Sequence, residues 1–135
     1  MANSNLLSKL KYRPEYKMIV LNAPEYYLPN LDGIAFETGV DKFADEADLL
    51  HIFVYSKEDV DRLVPNAIKH LKYDGLMWMS YPKGTSKIKT DVNRDKGWDT
   101  LRALDYQGIA LIAIDDTWAA MRFRPSAKIK SSKKE

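Results

Sequence analysis

The sequence predicts an α/β domain built on a mainly parallel sheet. Four short apolar runs, at 17–21, 49–55, 75–80 and 109–114, are bounded by turn residues, as strands buried on both faces are. Helical periodicity fills the intervals between the last three. Strand alternating with helix implies right-handed crossovers between parallel strands. After the last run, Asp115-Asp116-Thr117 is turn chemistry and residues 118–124 alternate, so the chain closes with an antiparallel hairpin.

Taken in order, Ser4 or Asn5 is placed to cap a short helix with Leu6, Leu7 and Leu10 on one face, ended by Pro14. Residues 17–21 form the first strand, closed by Asn22-Ala23-Pro24. One helical turn at 25–28 and a short second strand at 33–36 follow, and the acidic stretch 39–48 reads as loop or weak helix. The third strand is 49–55. Ser56 caps the next helix, with Asp59 three residues on as an approximate capping box. Val60, Leu63, Val64, Ala67, Ile68 and Leu71 then share one face, and Pro65 should kink or restart the helix.

Asp74-Gly75 is a turn signal before the fourth strand, 75–80, which Pro82 ends because proline has no N–H for a ladder. Asp91 or Asn93 can cap a helix with Trp98, Leu101 and Leu104 on one side, broken by Gly108. The uninterrupted run 109–114 reads as a further buried strand. With the last strand inserted between the fourth and fifth, the spatial order is 2-1-3-4-6-5. Ile19, Phe53, Leu63, Leu76, Trp78, Ile112 and Met121 are the expected core.

The 135 residues make one domain over 1–125 and a lysine-rich, disordered tail over 126–135. Net charge is +2, but the tail's four lysines and one glutamate leave the rest at −1, so charge count indicates no nucleic-acid face. Absence of cysteine excludes structural disulfides, zinc thiolates and cysteine nucleophiles, and fits a cytoplasmic location. The N-terminus lacks the pattern of a signal peptide. No apolar run approaches the ~20 residues of a membrane span, so no membrane partner is expected.

In open α/β sheets ligands sit outside the carboxyl ends of strands, where connection direction reverses. The candidate ligand-binding residues there are Asn22, Ser80, Lys83, Ser86, Asp116 and Trp118. Lys83 would anchor an anion, and Asp116 would act as acid or base. Asp115 and Asp116 are adjacent, so their side chains diverge, and turn formation accounts for them more cheaply. Neither His51 nor His70 has a partner at catalytic or ligand spacing in the sequence. The first strand-to-helix turn has no glycine and contains Pro24, so it lacks the phosphate cradle of a dinucleotide or methyl-donor site. No cofactor, metal or nucleophile–base pair is therefore expected. The favoured function is a non-enzymatic binding or regulatory module on a degenerate sheet. The alternative is a small-molecule or anion-binding enzyme using the carboxyl edge, and a third reading gives the lysine tail to nucleic acid.

The outline resembles the carboxyl half of a Rossmann-like methyltransferase sheet: a single three-layer domain, truncated, with parallel strands ending in a hairpin. A closer likeness rests on Tyr12-Arg13-Pro14, Leu21-Asn22-Ala23-Pro24, the block Asp74-Gly75-Leu76-Met77-Trp78-Met79-Ser80-Tyr81-Pro82-Lys83, and Asp115-Asp116-Thr117-Trp118. These resemble a bacterial family of short proteins of unknown function with Gly-Leu-Leu-Trp-Val-Ser-Trp-Pro-Lys-like and Asp-Glu-Thr-Trp-Ser-like blocks. Tyr81, Asp116 and Ala119 stand where that family has tryptophan, glutamate and serine. The resemblance implies a bacterial, cytoplasmic protein of this fold and supplies no activity.

Overall fold

The computed structural model describes residues 2–40 and 46–129. A five-stranded sheet forms its middle layer: β1 (Met18–Leu21), β2 (Ala47–Phe53), β3 (Leu71–Pro82), β4 (Tyr106–Ala113) and β5 (Trp118–Pro125), in the spatial order β1-β2-β3-β5-β4. β1, β2 and β3 are parallel; β5 runs antiparallel to both β3 and β4. The short strand expected at 33–36 does not form; one residue beyond it, Glu37 makes a single parallel bridge to Ile19 on the outer side of β1. With that bridge included, the order is the 2-1-3-4-6-5 expected from sequence.

Strand parity sorts the side chains into two cores. On one face Ile19, Leu50, Ile52, Met77, Met79 and Met121 pack under α2 (Lys57–Ala67), which contributes Val60, Val64 and Ala67. On the other, Val20, Leu49, Phe53, Trp78 and Ala120 pack under α1 (Ser4–Lys9) and a 3₁₀ helix at Glu25–Leu31. Asn3 caps α1 with its side-chain oxygen accepting from Leu6 N, and the Trp78 indole N–H donates 3.0 Å to the Leu10 carbonyl, tying α1 to the sheet. Among the described residues, no helix is long and apolar enough to cross a membrane.

Several expectations change in detail. Asp74-Gly75 is not a turn before a strand but a bulge inside β3: Asp74 is left-handed (φ 63°) and the β2–β3 register shifts beside it. The Asp74 carboxylate is held there by both sides of the Arg124 guanidinium, at 2.8 and 2.9 Å. α2 passes through Pro65 and tightens into 3₁₀ only at Ile68–His70. The helix expected after Asp91 or Asn93 shrinks to α3 (Asp99–Ala103), because Asn93 folds its side chain onto the N–H groups of Asp95 and Lys96. Ile19, Phe53, Trp78 and Met121 are buried, whereas Leu63, Leu76 and Ile112 are only partly so. The run 109–114, expected to be buried, lies on the sheet's edge strand, where Leu111 is 48% exposed. The expected boundary at 125 is followed by one more ordered turn, Ser126–Lys128, pinned by Ser126 N to the Asp105 carbonyl at 2.7 Å. Residues 130–135 of the expected tail, and 41–45 of the acidic stretch, lie outside the described residues.

Candidate functional site

The chain leaves β1, bridges at Glu37 on one side, then crosses to β2 on the other. Connection direction therefore reverses between β1 and β2, and in open α/β sheets a crevice opens at that point. Asn22 stands at the mouth. Its backbone is left-handed (φ 62°), a conformation asparagine tolerates far better than most residues. Its side-chain Nδ2 donates 2.9 Å to the Phe53 carbonyl at the end of β2, spanning the crevice and leaving Oδ1 as an acceptor. The left-handed position that a glycine-rich turn would supply is thus present, held by asparagine.

An aromatic cluster packs beside it, Phe53 meeting Trp118 edge-on at 5.1 Å. Trp118 is 1% exposed, and its indole N–H donates 2.8 Å to the Tyr26 hydroxyl. Tyr26 is 58% exposed and keeps its own hydroxyl proton free to donate. The Tyr55 ring meets the Trp118 indole edge-on at 5.0 Å. Burial, with the nearby Tyr26 and Asp59 groups, raises the Tyr55 hydroxyl above the ordinary tyrosine range, so it stays protonated at neutral pH. On the outer side of β1, Glu37 pairs through its backbone, accepting from Val20 N at 2.8 Å and donating to the Met18 carbonyl at 3.0 Å.

Of the six residues expected from sequence, the structure brings Asn22 and Trp118 to this crevice, Trp118 as support under Tyr26 and not as contact surface. Lys83 lies at the end of β3, where its N–H donates 2.7 Å to the Thr117 carbonyl and ties the β3 terminus to the β4–β5 turn. Ser86 sits in the following loop, its Oγ accepting from Ile88 N at 3.3 Å. Asp116 is exposed in the turn, while neighbouring Asp115 accepts the N–H groups of Thr117 and Trp118 at 2.8 and 2.9 Å. Ser80 has no surface to offer: it is 0% exposed, and its Oγ lies 2.6 Å from His51 Nε2.

That last contact corrects the expectation that no hydroxyl and base are paired. His51 is in the middle of β2 and fully buried, stacked on Phe53 at 4.5 Å with Nδ1 3.5 Å from the Tyr27 hydroxyl. Burial pushes its pKa down to about 3 and the Tyr27 hydroxyl well up, so both stay neutral. No substrate can reach a serine this deep; the trio satisfies polar groups inside the core. Sequence reasoning missed Tyr26, Tyr55 and Glu37. The first two had a visible signal, each lying within five residues of a predicted strand end.

No family model matches the sequence, and no curated protein matches it. Solved structures do. The chain is similar to the M1A22 tRNA methyltransferase TrmK of B. subtilis, at 11% identity and TM-score 0.54, over 93% of this chain and 67% of that one. It is similar to a ribosomal protein L11 methylase from Lactobacillus delbrueckii subsp. bulgaricus, at 13% identity and TM-score 0.57, over 91% of this chain and 76% of that one. A protein of the NADB-Rossmann superfamily from Streptococcus agalactiae gives 12% identity and TM-score 0.55, over 93% and 69%. The likeness is one of fold: the sheet is a truncated methyltransferase-like, Rossmann-like sheet. These neighbours correct the function expected from sequence. The non-enzymatic binding or regulatory module is set aside, and its alternative, a small-molecule or anion-binding enzyme using the carboxyl edge, gives way to a methyltransferase-like reading.

Proposed function

We propose that this chain is a methyltransferase-like protein that takes an adenosyl-type ligand in the crevice between β1 and β2. The observation that carries the reading is the reversal of the chain at this crevice, with a left-handed Asn22 on one side and Glu37 at the end of the outer segment. Doubly wound sheets hold a nucleoside at such a point, with an acidic residue about 20 positions beyond the first turn accepting the ribose hydroxyls. Here the spacing is shorter, with Glu37 15 positions beyond Asn22 on the segment that bridges β1. The methyltransferase neighbours support the choice of an adenosyl ligand over a dinucleotide, as a matter of fold.

The residues present fit such a ligand through side chains instead of a glycine cradle. Pro24 withholds one backbone donor, so Asn22 Oδ1 would accept from the ligand's amino group and the Tyr26 hydroxyl would donate to its carboxylate. Glu37 would accept the ribose hydroxyls. When bound, a sulfonium donor of this class supplies an electrophilic methyl group.

Calorimetric titration of the full chain with S-adenosylhomocysteine tests the reading. Saturable binding is expected, weakened roughly tenfold or more in Glu37→Gln and in Tyr26→Ala, since each removes a hydrogen bond, charged in the first case, worth about 1–3 kcal/mol. No heat and no thermal stabilisation up to millimolar ligand would reject it.

A further inference from the structure

β4 ends the sheet and is bare. Its run Gly108-Ile109-Ala110-Leu111-Ile112-Ala113 has no charge and no proline, and Ile109 and Leu111 are 39% and 48% exposed. No strand lies beyond it among the described residues. Natural sheets guard such edges with charge, proline or cover, because unpaired backbone groups along an apolar strand recruit another strand. Cover is short here: α3 is five residues long. Along the face of β4 runs a groove of about 660 Å³ floored by Trp98, Leu111, Met121 and Phe123. A second hollow of about 400 Å³ adjoins it, and Leu111 and Arg94 line both.

We propose that a second copy of this chain pairs with β4, strand to strand and antiparallel, about a two-fold axis at Leu111. Two five-stranded sheets would then join into one continuous sheet. Closed two-fold dimers are the commonest oligomers, and their interfaces must be self-complementary. This strand meets that demand. With Leu111 on the axis it faces its own copy and Ala110 faces Ile112, so no charge meets a like charge. The register also puts the most exposed apolar side chain of the strand at the centre of the seam, where burial contributes most.

Charge at the two ends favours the same partner. Asp116, exposed in the turn after β4, lies at the strand end that the Tyr106 and Gln107 end of an antiparallel copy would approach. Beside Tyr106 and Gln107 the groove is rimmed by Arg94 and Arg102. Within their own chain these arginines make long, exposed contacts, Arg94 to Asp95 at 3.4 Å and Arg102 to Asp99 and the Asp95 carbonyl at 3.5 Å each. Asp95 and Asp105 share the rim, so the attraction is specific to the arginine–Asp116 approach and not to a basic patch. The bulge between Gly108 and Ala110 shortens the regular seam, and the groove on the face supplies the remaining contact.

Sedimentation velocity on the full chain across micromolar to millimolar concentration reads the outcome. The wild-type chain is expected to dimerise, and Leu111→Lys, which sets two ammonium groups against each other on the axis, to raise the dissociation constant roughly tenfold or more. Circular dichroism should show that variant folded, since Leu111 is half exposed. Independently of it, Arg102→Glu and Asp116→Lys should each weaken the dimer and together restore it. A wild-type chain that stays monomeric would overturn the proposal. So would a dimer indifferent to Leu111→Lys, or one that the paired charge reversal fails to restore.

Discussion

β3 and β4 carry nearly the same message in sequence and meet opposite fates. Each has a glycine ahead of an apolar run, Gly75-Leu76-Met77-Trp78-Met79 in one and Gly108-Ile109-Ala110-Leu111-Ile112 in the other. In β3, Met77 through Pro82 are buried, flanked by β2 and β5, with α1 tied beneath by the Trp78 indole. In β4 only Tyr106 and Ile112 are even half-buried. An apolar run therefore reports that a segment is a strand, while the number of neighbouring strands and the length of the covering helix decide whether it is core. Composition cannot separate the two, because both demands for cover are equal at the level of residues.

Truncation is the sharpest way to separate them. Trp78→Ala in β3 should cost about 3–5 kcal/mol in urea unfolding, through lost contacts and a cavity. Leu111→Ala in β4 should cost less than about 1 kcal/mol at monomeric concentrations, as for a surface change. Similar costs at the two sites would erase the distinction between the strands.

Acid probes β2 and β3 at their shared polar link. His51 stays neutral in the folded chain, with a pKa of about 3 against an ordinary 6.5, whereas the unfolded chain protonates it at the ordinary value. The unfolded state binds more protons, so this contribution is fully present above pH 6.5 and is lost as pH falls, by about 1.4 kcal/mol per pH unit. By pH 5 the loss is about 2 kcal/mol. The Asp48, Asp61 and Asp74 carboxyls, held below the ordinary value of 3.8, lose their contributions only in stronger acid. Urea unfolding between pH 7 and 5 should show that slope, and His51→Leu combined with Ser80→Ala should flatten it.

The two glycines give the smallest contrast. A Cβ on Gly75 would lie 2.7 Å from Leu71 Cδ1 and 3.0 Å from the Lys72 carbonyl oxygen, which cannot move away. On Gly108 it would meet the Met121 sulfur at 2.4 Å, on a side chain that can turn into the groove. Gly75→Ala should cost about 1–3 kcal/mol, and Gly108→Ala less than about 1 kcal/mol. Equal melting temperatures in the two variants would show that β3 has more slack than its packing implies.

The strand order was legible in the sequence because it follows from crossover handedness and one hairpin, both of which leave local marks at turns. Lost to it were distant pairings. Nothing near His51 in the chain announces Ser80, 29 residues on, and nothing near Trp118 announces Tyr26. The Asp74 bulge was hidden for a related reason: its left-handed backbone is fixed by Arg124, a residue of another strand. At the candidate site, Asn22 was visible as a strand end, but its left-handed turn was not, since residue type alone does not select that conformation. Glu37 fell between two expected elements, and only the bridge to Ile19 sets it beside β1.

The most direct measurement of the functional account is residue-resolved NMR of the labelled chain titrated with S-adenosylhomocysteine. Shifts are expected at Asn22, Ala23, Tyr26, Glu37 and Tyr55, with the amides of β4 unmoved. Shifts concentrated instead at Trp98, Leu111 and Phe123 would move the ligand to the β4 groove and contradict the assignment of the crevice.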